Sequence, residues 1–119
     1  IEHMASPDAL VSECYRVLKS NGRAVFITPD WESMYRIFYS EYTHRTPFTR
    51  KSLGDCLMIN GFGAVRVDRL VQLPWLWRLP VLHPVRWLFS VCPEWMRRFK
   101  SVRFSKDVML IAVAEKTSH

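Results

Sequence analysis

A helix that stops on Asn21-Gly22 and passes straight into an apolar strand constrains this chain more than any other stretch. Ser6 stands where a helix cap is wanted, and Pro7 suits the first turn because its missing N–H would be unpaired there anyway. Leu10, Cys14, Val17 and Leu18 then recur at helical spacing and predict one apolar face. Lys19 falls in the last turn, where a cation favours the carbonyl end, and Gly22 is the residue expected to turn left-handed and stop the helix. The run Ala24-Val25-Phe26-Ile27 that follows is short and rich in β-formers, so it reads as a strand over 23–28. Its apolar residues do not alternate with polar ones. A central parallel strand with both faces covered, in an α/β sheet, is the expectation.

The rest of the chain continues in that style. Trp31, Met34, Tyr35, Phe38, Tyr39 and Tyr42 follow at three- and four-residue spacings and predict an aromatic helix over 31–42. Either it packs its rings into the core, or Trp31 and Tyr35 form a substrate-side wall, since it leaves the carboxyl end of a strand where α/β sheets bind ligands. A further helix is expected from a Thr49 cap through Leu53, Cys56 and Leu57 to Asn60-Gly61. Val65 and Val67 alternate with Arg66 and Asp68, a strand with one wet face. The stretch from Val108 to Ala114 is apolar throughout and should sit inside the sheet.

Between those last two strands runs an insertion, 71–104, far longer than the ~2–6 residues of an ordinary connection. It holds Trp75, Trp77, Trp87 and Trp95, four of the five tryptophans, and six Lys/Arg against Glu94 alone. Its net charge is therefore +5, and the remaining eleven Lys/Arg and ten Asp/Glu leave only +1 of the chain's +6. Four prolines divide it and forbid one long helix. Such a segment suits a packed appendage, a lid over an apolar or anionic substrate, or a membrane interface with Trp at the headgroups and Arg on phosphates. Nucleic acid is disfavoured, because no recognised binding motif accompanies the charge. His83, between Leu82 and Pro84, reads as a lid or core histidine.

Composition narrows the class further. At 119 residues the chain is one domain at most, and 49% hydrophobic residues suffice for a core. No apolar run approaches the ~18 residues of a membrane-spanning helix, and no secretory signal opens the sequence as it stands. Cys14, Cys56 and Cys92 are odd in number and lack metal-type spacing, which points to free thiols and a cytoplasmic setting. Triads, P-loops and paired CxxC motifs are missing from the sequence, so the enzyme classes they mark have no support.

The segment "ECYRVLKSNGRAVFITP", with Glu13, Arg16, Val17, Leu18, Lys19, Gly22 and Arg23, resembles the E-x-x-R-V-L-K-P-G-G-x-x-x-I-x-x-P stretch of class I S-adenosylmethionine-dependent methyltransferases of type 11/12. Ser20-Asn21-Gly22 replaces that family's Pro-Gly-Gly. Upstream, Ile1-Glu2-His3-Met4 is similar to the motif after the family's fourth strand. Downstream, His44, Phe48, Thr49, Leu53, Gly61 and Phe62 resemble its H-x-x-x-F-T-x-x-x-L…G-F segment.

The resemblance implies a Rossmann-like α/β sheet of which only the C-terminal half is here: helix, strand, helix, strand, insertion, strand, with the last strand antiparallel. The core would be 1–70 and 105–116, around the insertion at 71–104. The family's glycine-rich cofactor loop would lie upstream of Ile1, which is not an initiator. The four glycines present form no G-x-G-x-G cradle, so this chain alone is expected neither to hold S-adenosylmethionine nor to be active. It is also expected to self-associate. The alternative, that His3-Met4 is a cloning remnant and the natural chain begins at Met4, is disfavoured because Glu2-His3 falls where the motif puts it.

For chemistry, the resemblance implies methyl transfer to an oxygen or nitrogen nucleophile of a small, apolar substrate. His3 or His44 would be the base, and Trp31, Tyr35, Trp75 and Trp77 the substrate-side residues. In a metal-using subset of the family the corresponding positions bind a divalent ion, which would make Glu2, His3 and His44 ligands; many relatives carry the Glu-His without metal, and that metal-free role is favoured. The competing reading is a non-catalytic or degenerate module that binds membranes or anionic partners through 71–104.

Overall fold

The helix-to-strand unit at the start is followed by six more short elements in the computed structural model, which describes residues 1–71, 84, 91, 93–98 and 107–117. Helix α1 is Pro7–Val17, strand β1 Arg23–Pro29, helix α2 Trp31–Met34, helix α3 Arg50–Ile59, strand β2 Arg66–Val71 and strand β3 Val108–Glu115. Single 3-10 turns lie at Phe38–Ser40 and Glu94–Arg98. Most of the 71–104 insertion, including Trp75, Trp77, His83, Trp87 and Cys92, lies outside the described residues.

The sheet has the order β1–β3–β2, and β3 runs antiparallel to both neighbours. Its all-apolar sequence thus occupies the central position expected of it, with Phe26 opposite Ala112 and Val67 opposite the same residue from the other side. Helices α1 and α3 cover one face. Val11, Leu53 and Leu57 pack there on Phe26, Leu110, Ala112 and Ala114, and Phe48 and Phe62 close the cluster.

Among the described residues, no helix covers the other face. Val25 (57% exposed), Ile27 (49%) and Val113 (36%) stand on it. The expectation of a doubly covered, parallel-paired β1 therefore differs from what is seen: β1 pairs antiparallel with β3 and, among the described residues, lies at the sheet edge. An apolar residue on an open face has the same sequence signature as one on a covered face.

Three local details also depart from expectation. Ser6 occupies the N-cap of α1 but makes no side-chain cap bond. At the other end it is Asn21 (φ 61) that turns left-handed, while Gly22 is needed for space: a Cβ there would lie 2.7 Å from the Lys19 carbonyl oxygen. The carbonyl end of α1 is satisfied by a distant cation. Lys116 Nζ donates to the carbonyls of Tyr15 (2.8 Å) and Leu18 (2.9 Å) and rides 4.6 Å over the Tyr15 ring. Finally, the aromatic helix expected over 31–42 is broken into α2 and a 3-10 turn, so that Phe38 is buried while Tyr35, Tyr39 and Tyr42 are exposed. By contrast α3 starts as predicted: Thr49 and Ser52 exchange backbone and side-chain bonds in a capping box, and Gly61 (φ 98) follows the end.

Candidate functional site

Forty residues separate His44 from the first three residues of the chain, and two backbone bonds close that gap. The N–H groups of Arg45 and Thr46 both donate to the Glu2 carbonyl, at 2.8 and 3.0 Å, and the Thr46 hydroxyl donates to the Met4 carbonyl. This clip brings His44 onto His3, with ring centroids 4.8 Å apart. One ligating atom from each of Glu2, His3 and His44 then lies within 4.8 Å of the others. The juxtaposition is the one the sequence motifs imply.

The electrostatics of the trio are asymmetric. His3 is half exposed, with Nε2 3.5 Å from Glu2 Oε1, whereas the Glu2 side chain is 12% exposed. Burial pushes the Glu2 carboxyl up. In residues 1–119 alone its own backbone N–H and the free Ile1 ammonium outweigh that and hold it below the usual carboxylate value; in a longer chain that ammonium would be a neutral peptide group.

His44 is oriented by its neighbours. Its Nδ1 lies 2.7 Å from the Phe38 carbonyl, and a carbonyl can only accept, so Nδ1 carries the proton. Nε2 is left with the lone pair, ready to accept a proton or a metal. The Phe38 ring lies 4.5 Å from the imidazole and continues to Trp31 at 5.4 Å. Trp31 also meets Tyr35 (6.4 Å) and Tyr39 (5.7 Å) edge-on. A row of rings therefore runs from His3 through His44 and Phe38 to Trp31. Trp75 and Trp77, the other two expected wall residues, lie outside the described residues. Of the insertion's tryptophans, Trp95 is described: it is exposed, with the Arg98 guanidinium 5.9 Å over its ring.

The donor set suits a divalent ion of the zinc, manganese or ferrous kind, since two imidazoles and a carboxylate are its usual partners. Metal–ligand bonds of ~2.1 Å require donors slightly closer than 4.8 Å, a shift within side-chain reach. The bond from His44 to a carbonyl is also the support that ligating histidines ordinarily receive. S-adenosylmethionine has no such fit here. Gly22, Gly54, Gly61 and Gly63 are scattered over a turn, a helix and the α3–β2 connection, and form no phosphate-loop-like cradle among the described residues.

Sequence reasoning missed the polar end of β1. Thr28 and Asp30 are both fully buried on the helix-covered side of the sheet. Asp30 pairs with Arg69 of β2 at 2.8 Å, a partner 39 positions away that no local pattern could announce. A separate open groove, lined by Glu32, Arg50, Lys51, Val65, Arg66, Val67 and Arg69, contains none of the predicted site residues.

No protein-family model matches the sequence, and no curated protein matches it in sequence. Among solved structures it is similar to a SAM-dependent methyltransferase from Archaeoglobus fulgidus (TM-score 0.60, 21% identity), covering 97% of this chain and 55% of that one. It is also similar to phosphoethanolamine N-methyltransferase 2 from Haemonchus contortus, in complex with phosphomonomethylethanolamine and S-adenosylhomocysteine (TM-score 0.62, 14% identity; 99% of this chain, 32% of that one). The same nematode enzyme with S-adenosyl-L-methionine gives the same TM-score. This chain thus spans about half or less of the length of these enzymes. What it shares with part of each of them is the fold of a class I SAM-dependent methyltransferase.

Proposed function

We propose that this chain is the C-terminal, substrate-side half of a methyltransferase domain that transfers a methyl group from S-adenosylmethionine to an oxygen or nitrogen nucleophile of a small, apolar substrate. The observation that carries the reading is the sheet itself: an antiparallel β3 inserted between β1 and β2, in a fold that aligns over nearly the whole chain with methyltransferases. The cofactor cradle lies in the half that precedes Ile1, which would also cover the open sheet face. His44 Nε2 accepts the proton that the nucleophile loses, and His3 is its alternate. Trp31 and Tyr35 form one wall for the substrate, and Trp75 and Trp77 a lid over it.

The donor geometry favours one second reading. Glu2, His3 and His44 would hold a divalent metal, which supplies Lewis acidity to a bound hydroxyl. The phosphomonomethylethanolamine bound by the nematode enzyme makes an amine acceptor one class to assay beside hydroxyl acceptors. A further alternative, a non-catalytic module that attaches to membranes or anionic partners through 71–104, is carried by the aromatic and basic composition of that segment. No described helix is long and apolar enough to cross a membrane.

The test is to express the natural reading frame that contains this chain and follow label from methyl-labelled S-adenosylmethionine into acceptor panels. Cofactor binding by the longer protein and none by residues 1–119 alone is expected. A longer protein that binds no S-adenosylmethionine overturns the reading.

A further inference from the structure

The loop from Asp30 to Thr46 carries Trp31, Phe38 and His44, and its two ends are tied down differently. Its far end is held by backbone bonds to Glu2. Its near end is held by one buried charge. Asp30 is fully buried, its N–H donates to the Val108 carbonyl, and Oδ2 accepts from Ser33 Oγ at 2.6 Å while pairing with Arg69 Nε at 2.8 Å. The same guanidinium reaches Glu32 on the next turn. The following residue, Trp31, is pinned by its N–H to the Phe48 carbonyl. A single arginine from β2 therefore clamps both carboxylates that flank Trp31, at the carboxyl end of β1.

We propose that Arg69, acting through Asp30, is a positioning residue for the substrate wall and the His44 imidazole. This rests on the methyltransferase reading only for what the wall is used for; the positioning itself does not depend on it. The path is continuous: Arg69 fixes Asp30 and Glu32, these set Trp31, Trp31 packs on Phe38, and the Phe38 carbonyl holds His44 in its Nδ1–H tautomer. A carboxylate at zero exposure persists only if paired, and loss of its partner is far more damaging than loss of a surface pair. The unpartnered Asp30 Oδ1 raises that dependence, since Arg69 and Ser33 serve the other oxygen alone.

The complete protein, kept in chelator, provides the test. Arg69→Met is expected to speed hydrogen exchange at the Trp31 amide tenfold or more, and to bring the His44 ring nitrogens into tautomer averaging in their nitrogen spectrum. Arg69→Lys, which keeps the charge but lacks the separate Nε and Nη2 donors that meet Asp30 and Glu32, should give the same changes to a smaller extent. Val11→Ala, a core truncation away from this loop, serves as the control at matched loss of thermal stability and should leave the His44 spectrum unchanged. If Arg69→Met does not fold, Arg69→Lys against Val11→Ala decides. An unaltered His44 spectrum in the arginine variants, or the same averaging in Val11→Ala, overturns the proposal. Absence of methyl transfer in the unsubstituted protein would instead overturn the enzyme reading and leave this result standing.

Discussion

Converting Val25, Ile27 and Val113 to threonine should have opposite consequences in two forms of this protein. All three stand on the face of the sheet opposite α1 and α3, and between them they leave roughly 200 Å² of apolar surface open. At ~25 cal/mol per Å², covering that surface is worth on the order of 5 kcal/mol, enough to drive association of the isolated chain. Among the described residues β1 has a strand neighbour on one side only, so its outer edge adds backbone donors and acceptors to the same region. Threonine keeps the β-branched shape and wets the face. In residues 1–119 alone, the triple substitution is expected to convert an associating species into a smaller one by sedimentation velocity. In the longer protein the same face would be covered by the preceding half. There each buried hydroxyl should cost ~1–3 kcal/mol, and the midpoint of thermal unfolding should fall. A monodisperse, cooperatively melting monomer from the unsubstituted short chain, or a longer protein indifferent to the three threonines, would refute the reasoning.

Lys116→Met should remove the charge-assisted bonds that close α1, costing ~1–3 kcal/mol and lowering the melting midpoint of the longer protein by several degrees. His44→Gln should reduce methyl transfer by ~10²-fold if Nε2 is the general base; on the favoured metal-free reading activity survives chelator, and loss restored by added Mn²⁺ would shift the assignment to a metal centre. The Cys56 thiol, pushed up to about 11 by burial and by the Asp8 carboxylate, should alkylate far more slowly at pH 8 than a free cysteine peptide. Because the folded value is the raised one, the stability this thiol lends is present below its ordinary pKa and lost as pH rises towards 11. For Glu2 in residues 1–119 alone the sign is reversed: its contribution is present above the ordinary carboxylate pKa and lost as acid is added. Anionic vesicles at low and high salt test the insertion. Strong, salt-sensitive binding that Arg97→Glu with Arg98→Glu abolishes would favour attachment over a lid.

The sequence was legible where a rule acts over a few residues. The Thr49 cap, the Gly61 turn and the all-apolar β3 each follow from local chemistry and appear where expected. The meeting of Glu2 and His3 with His44 was reachable through motif resemblance, and no spacing rule would have produced it. What escaped was set by distance along the chain. Lys116 serves a helix that ends 99 residues earlier, and so supplies what Lys19 and Gly22 seemed placed to do. Asp30 owes its burial to Arg69. The broken helix at 31–42 is a different failure: periodic aromatics satisfy a helical template, yet Phe38 points inward while Tyr35 and Tyr39 face solvent, which one continuous helix did not provide.

The place of β3 in the sheet has a consequence for synthesis. Among the described residues, strands β1 and β2 are not paired with each other, and every ladder bond each makes runs to residues 108–115. A ribosome that has released this chain only as far as Val71 has therefore produced β1 and β2 without the strand that joins them. The clasp between Lys116 and the end of α1 waits for the same last residues. Until they emerge, the nascent chain must keep these apolar strands from pairing elsewhere, and a premature stop shortly before Val108 would remove the strand that holds β1 and β2 in one sheet rather than trim an edge.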